Sequence, residues 1–109
     1  MLNVTMEFSA NRLVLTADGH AGYARAGEDI VCAAASSLIS TLMLALNAQL
    51  GRESDIYLDD PRDGPLTIDC GPSAEEMQGA KNIFRTIACG LEALAYKYPD
   101  NVGFELREN

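Results

Sequence analysis

Basic residues are scarce in this chain: 8 Lys and Arg stand against 16 Asp and Glu, a formal charge of −8. A surface of that sign repels phosphate, so direct binding of nucleic acid is not expected and a cationic partner is favoured. Histidine occurs once, at His20, and cysteine three times, at Cys32, Cys70 and Cys89, with no C-x-x-C pair. An odd number of thiols at such spacing suggests neither a disulfide framework nor a zinc site. The expectation is a reducing, cytoplasmic setting, with no metal and no other cofactor. Low-complexity runs are absent, and a content of 48% hydrophobic and 22% charged residues is that of a folded globular protein. A chain of 109 residues has room for one domain, 1–109, with a modest core.

Met1 to Phe8 lacks the basic start and continuous apolar run of a signal peptide. Ile30 to Gly51 carries no charge and is long enough to cross a bilayer. Ser36, Ser37, Ser40, Thr41, Asn47 and Gln49 interrupt it, however, and no strongly basic flank orients it. A buried helix is therefore expected there rather than a membrane span.

Leu2, Val4, Met6 and Phe8 alternate with Asn3, Thr5 and Glu7, the period of a strand with one buried face. Ser9-Ala10-Asn11 reads as a turn, and Leu13, Leu15 and Ala17 complete a hairpin that ends near Asp18-Gly19. From Ile30 to about Leu50 the apolar density predicts a helix that is central or packed on two sides, the second side being available to a dimer partner. Ile56 to Leu58 and Leu66 to Cys70 are short strands joined by the turn-rich Asp59-Asp60-Pro61-Arg62-Asp63-Gly64-Pro65. Ser73-Ala74-Glu75-Glu76 is a capping box that starts a second helix. Its inner face is Met77, Ala80, Ile83, Phe84, Ile87, Leu91, Leu94 and Tyr98, and Pro99-Asp100-Asn101 stops it. Val102, Phe104 and Leu106 form a last strand. The order ββαββαβ predicts an α+β fold, a single two-layer domain with a mostly antiparallel or mixed sheet covered by two helices.

The chemistry concentrates in GHAGYARAGEDIVCAAASSL, Gly19 to Leu38. Asp29 is a good N-cap, which puts Cys32 in the opening turn of the long helix. Unpaired amides and the positive end of the helix dipole stabilise a thiolate there, and the amides of Cys32 or Ala33 are candidates to receive an oxyanion. His20 completes the minimum set for thiol catalysis, as the group that takes the thiol proton and later protonates a leaving amine. Gly19, Gly22 and Gly27 give its loop freedom to swing. Ser36 lies one helical turn after Cys32 on the same face, and Asp29 is alternatively a third member that orients His20.

Each residue also has an ordinary role. A cysteine in an apolar helix is usually a small buried hydrophobe, an imidazole beside a glycine can simply tolerate an unusual backbone, and Asp29 is a cap before it is a triad acid. Ser36 would satisfy a helix carbonyl. Cys70 and Cys89 read as packing residues. Asp55, Asp59, Asp60 and Asp63 lack the spacing of a calcium loop and more simply solvate a turn.

Gly19-His20-Ala21, Gly27, and Asp29-Ile30-Val31-Cys32-Ala33-Ala34 with Ser36 closely resemble the motif of the ribosomal-processing cysteine protease family of bacteria. The likeness extends in the same element order to Tyr98-Pro99-Asp100. This resemblance implies a cytoplasmic thiol protease of ribosome biogenesis that removes an N-terminal extension from a basic large-subunit ribosomal protein. Under it, Cys32 matches the nucleophile, His20 the base, and Asp29 and Ser36 supporting positions. It further implies a homodimer with the first helix near the core or interface. Its substrates would carry apolar and aromatic residues before the scissile bond and a small one after it. Two readings compete with this one: a non-catalytic ribosome-associated module whose Cys32 is structural or redox-sensing, and another thiol-dependent acyl transfer or hydrolysis using the same pair.

Overall fold

The structure, a computed structural model, describes residues 1–25, 27–51 and 65–109, together with the backbone of 55–58. Alternation of apolar and polar residues makes β1 (Leu2–Phe8) and β2 (Leu13–Asp18), paired antiparallel with Met6 opposite Leu15 and Phe8 opposite Leu13. The turn between them closes with the Ser9 amide on the Arg12 carbonyl at 2.9 Å. The chain continues as α1 (Ile30–Leu50), β3 (Asp55–Leu58), β4 (Leu66–Cys70), α2 (Met77–Lys97) and β5 (Val102–Glu108).

The five strands form one sheet in the order β3-β4-β2-β1-β5. All neighbours are antiparallel except β5, which runs parallel to β1 after the crossover through α2. The sheet is therefore mixed, two helices cover one of its faces, and the order ββαββαβ and two-layer α+β class are as the sequence predicts. Leu2, Val4, Met6 and Phe8 from β1, Leu13, Leu15 and Ala17 from β2, and Ile68 and Cys70 from β4 are all buried on that face. Against them α2 sets Ala80, Phe84, Ile87, Ala88 and Leu91, and Phe84 meets Phe8 edge-on with ring centroids 5.8 Å apart. Burial of each such large side chain contributes about 1.5–3 kcal/mol.

The capping box forms, with the Ser73 amide on Glu76 Oε1 at 2.9 Å and the Glu76 amide on Ser73 Oγ at 3.2 Å. It closes a separate turn rather than the first turn of α2, whose regular bonding begins at Met77. Cys70 is buried as expected, but Cys89 is exposed, on the side of α2 that turns away from the sheet, where Glu92, Ala93 and Tyr96 flank it. Its position one residue past the buried Ala88 rotates it out of the core. The loop Asp59 to Gly64 lies outside the described residues, as does the side chain of Asp55.

Only one stripe of α1 is buried, through Val31, Ala35, Ile39, Leu42 and Leu46. A second side packs on α2, where Leu38 sits so close to Gly90 that a β-carbon there would lie 2.8 Å from a leucine methyl. The outer side stays open, with Ile30 and Leu44 each 61% exposed. Among the described residues α1 is the one helix with the length and hydropathy of a membrane span. In the fold its inner stripe belongs to the core.

Candidate functional site

β2 ends at Asp18, and Gly19 turns the chain off the sheet with φ +90°. A β-carbon at this position would lie 2.3 Å from the Met1 carbonyl oxygen, so only glycine fits. The loop that follows carries His20, exposed, and Ala21, buried. Gly22 and Gly27 take left-handed φ of 66° and 85°. The loop then runs back to Asp29, whose extended backbone (φ −85°, ψ 98°) precedes the first turn of α1.

Asp29 is the cap that the sequence predicts. Its Oδ1 accepts the Cys32 amide at 2.8 Å. Its Oδ2 accepts the amides of Tyr23 at 3.0 Å and Ala24 at 3.4 Å. The Cys32 amide, before all others, holds the Asp29 carboxyl below its ordinary value. Partial desolvation pulls the other way, and the amides of Ala24, Tyr23 and Val31 add to the lowering. With both oxygens engaged by backbone amides, Asp29 joins the loop to the helix instead of presenting an oxygen to the imidazole.

Cys32 is the third residue of α1 and half-buried. It shares a cleft of about 450 Å³ with His20, Ala24, Gly27, Asp29, Ala33 and Ser36. The expected thiol, imidazole and supporting residues are thus assembled on one concave surface at the mouth of the long helix. Among the described residues neither the His20 imidazole nor the Ser36 hydroxyl has a hydrogen-bond partner, so both are free to face a ligand.

One expectation needs correction. The Cys32 amide is taken by the Asp29 carboxylate, and the Ala33 amide closes the first helical bond on the Asp29 carbonyl at 3.1 Å. Neither is available to an oxyanion in this arrangement, because the cap uses the third amide and the helical ladder claims the fourth. Ala33 contributes its methyl group to the cleft wall.

Two contacts that the sequence does not show reach the histidine loop from the far end of the chain. Asn101 bonds to the Ala21 carbonyl and Tyr98 packs on Tyr23. No local pattern announces them, since both act across the fold. In the sequence Tyr98 shows only as the last inner-face position of α2, and Asn101 only as part of the helix-stopping run Pro99-Asp100-Asn101. Among the described residues no group of three or more His, Cys, Asp or Glu is placed to hold a metal ion.

The chemistry of such a cleft is that of a thiol attacking an acyl carbon, with an imidazole at hand for proton transfer. No curated protein matches the chain. Solved structures do. The essential ribosomal processing protease Prp from S. aureus, in complex with a covalently linked product peptide, superimposes with a TM-score of 0.79 at 23% identity, over 98% of this chain and all of that one. The same S. aureus protease with a substrate peptide gives a TM-score of 0.73 at 22% identity, over 98% and 100%. A protein from Streptococcus mutans gives 0.81 at 26% identity, over 100% of this chain and 96% of its own. The family model described as cysteine protease Prp matches residues 1–103. A thiol and an imidazole facing one cleft, on a fold shared with peptide-bound proteases, thereby acquire a lineage: the chain belongs to the Prp family of cysteine proteases.

Proposed function

We propose that Cys32 is the nucleophile and His20 the general base and acid of this protease. Its reaction would be removal of the N-terminal extension from a basic large-subunit ribosomal protein in the cytoplasm. The observation that carries this reading is the common cleft: the sole imidazole and a thiol at a helix N-terminus line the same concave surface. His20 takes the Cys32 proton, and the thiolate attacks the peptide carbonyl to give a tetrahedral intermediate. Imidazolium protonates the departing amine, leaving a thioester on Cys32. Water, deprotonated by His20, then attacks the thioester and releases the acid product and the free thiol. Ser36 stands on the cleft wall with its hydroxyl available to the bound peptide, while Asp29 fixes the helix start that carries the sulfur.

The substrate assignment is supported by the S. aureus relative, a ribosomal processing protease. It is also supported by the charge of −8, which attracts a cationic protein and opposes RNA. Homodimer formation through the outer side of α1 is supported by its exposed Ile30 and Leu44. The test is mass spectrometry of the extended ribosomal protein before and after incubation with wild-type chain and with Cys32→Ala. Loss of a defined N-terminal peptide with wild type alone is expected. Cleavage that persists in Cys32→Ala would remove Cys32 as nucleophile, and absence of cleavage by wild type would leave the non-catalytic reading.

A further inference from the structure

The loop that carries His20 is fastened at the residue next to the histidine. Ala21 is 2% exposed, and its carbonyl accepts a hydrogen bond from Asn101 Nδ2 at 2.9 Å. Two residues further on, the Tyr23 ring meets the Tyr98 ring edge-on, with centroids 5.4 Å apart and planes at 79°.

Tyr98 and Asn101 belong to one turn. The Tyr98 carbonyl accepts the amides of Asn101 and Val102, each at 3.0 Å, and the Tyr98 amide bonds to Leu94 of α2 at 2.9 Å. The Asn101 carbonyl accepts the Leu2 amide at 2.9 Å. This turn is therefore tied at once to α2, β1 and β5. Gly19, on the other side of the histidine, is held against the Met1 carbonyl. His20 thus lies between two backbone positions, Gly19 and Ala21, that each contact the sheet or the turn leading into β5.

We propose that Asn101, seconded by Tyr98, is the positioning residue for His20. Its side-chain amide fixes the backbone after the histidine so that the imidazole faces Cys32 across the cleft. A buried carbonyl in an irregular segment must find a donor, and Asn101 supplies it. Without that donor Ala21 leaves its site to reach water, and the imidazole moves with it. This inference rests on the assignment of Cys32 and His20 as a reacting pair.

The experiment compares wild type, His20→Ala, Asn101→Ala and Asn101→Asp by two readouts. The first is the rate of iodoacetamide alkylation at neutral pH, followed separately at Cys32 and at the exposed Cys89 by peptide mass spectrometry. The second is steady-state cleavage of the extended ribosomal protein. His20→Ala is expected to slow alkylation of Cys32 relative to Cys89. Both Asn101 variants are expected to reproduce that slowing, because aspartate keeps the shape but offers the carbonyl no donor. In cleavage, kcat falls on the order of tenfold to a hundredfold while KM stays within about twofold, the pattern of a misplaced base rather than a lost binding contact. Asn101→Asp preserves the comparison should Asn101→Ala fail to fold.

The proposal is overturned if the Asn101 variants keep the wild-type ratio of Cys32 to Cys89 alkylation while His20→Ala changes it. It is equally overturned if His20→Ala leaves that ratio unaltered, since there is then no pair to position. A precursor left uncut by wild type refutes the protease reading by itself, and the alkylation ratios still decide whether Asn101 acts on His20.

Discussion

Asp29 holds Cys32 by its backbone and not by its thiol: the carboxylate accepts the Cys32 amide at 2.8 Å, while its second oxygen accepts the Tyr23 amide at 3.0 Å. The first bond caps the helix and the second closes the loop, so two substitutions separate them. In Asp29→Asn the remaining oxygen still receives the Cys32 amide, but an NH2 group then confronts the donors of Tyr23 and Ala24. Asp29→Ala loses both. Thermal denaturation should therefore rank wild type above Asp29→Asn and Asp29→Asn above Asp29→Ala. Both variants should lower kcat/KM by roughly tenfold to a hundredfold through displacement of the cleft wall. Asp29→Asn cleaving at the wild-type rate would show that the loop bond is idle.

Helix contact at Gly90 is set by the absence of a side chain. Gly90→Val thrusts two methyl groups toward Leu38, and the overpacking should cost about 1–3 kcal/mol in urea unfolding. Leu38→Ala vacates that space, so the double variant should be less destabilised than the sum of the single ones. Strict additivity would mean that the two side chains do not meet.

Acid should destabilise the fold from below the ordinary carboxylate range. Asp29, Glu105 and Glu108 are all held below their usual values of 3.8, 4.5 and 4.5, the first by the Cys32 amide, the second by Arg107 and the third by Arg85. A depressed carboxyl stabilises the native state above its unfolded value, and that contribution disappears as pH falls through the lower, native one. The expected Tm is level with respect to these groups above about pH 5 and declines toward pH 3. The ion-pair share, from Glu105 and Glu108, should shrink in molar salt, whereas the share from the amide-bound Asp29 should persist. A Tm that rose on acidification below pH 4 would contradict all three assignments.

Encounter with a cationic substrate should depend on salt. For a chain of charge −8, kcat/KM toward a basic precursor should fall as ionic strength rises from 0.05 to 0.5 M, while an uncharged peptide with the same cleavage site should change little. Equal salt dependence for both substrates would dismiss steering.

Most of the fold was legible because its signals are local. The alternation in β1 and β2, the cap at Asp29 and the apolar positions of α2 each state their own element, and α1 begins and ends where the pattern places it. The placement of β5 parallel to β1 at the sheet edge was not legible, because Val102, Phe104 and Leu106 show alternation but nothing of which strand receives them. In the same way His20, Asp29 and Cys32 were visible as one dense motif, whereas Asn101 was not. Its role depends on a contact to Ala21 that only the closed sheet brings about. The motif does not show that the Cys32 amide goes to the Asp29 side chain and the Ala33 amide to the Asp29 carbonyl, because both partners are set by the cap geometry that only the folded loop fixes.

The parallel pairing of β1 with β5 also sets Met1 and Asn109 apart. The Met1 carbonyl adjoins Gly19 beside the histidine loop, whereas the Asn109 amide bonds to the Phe8 carbonyl at the opposite end of β1. A seven-residue strand separates these ends by roughly 20 Å. An affinity tag or surface tether attached after Asn109 stands clear of the cleft, while one fused ahead of Met1 emerges next to it. Assay formats that immobilise this chain by a tether joined at Asn109 should therefore leave the entrance unobstructed.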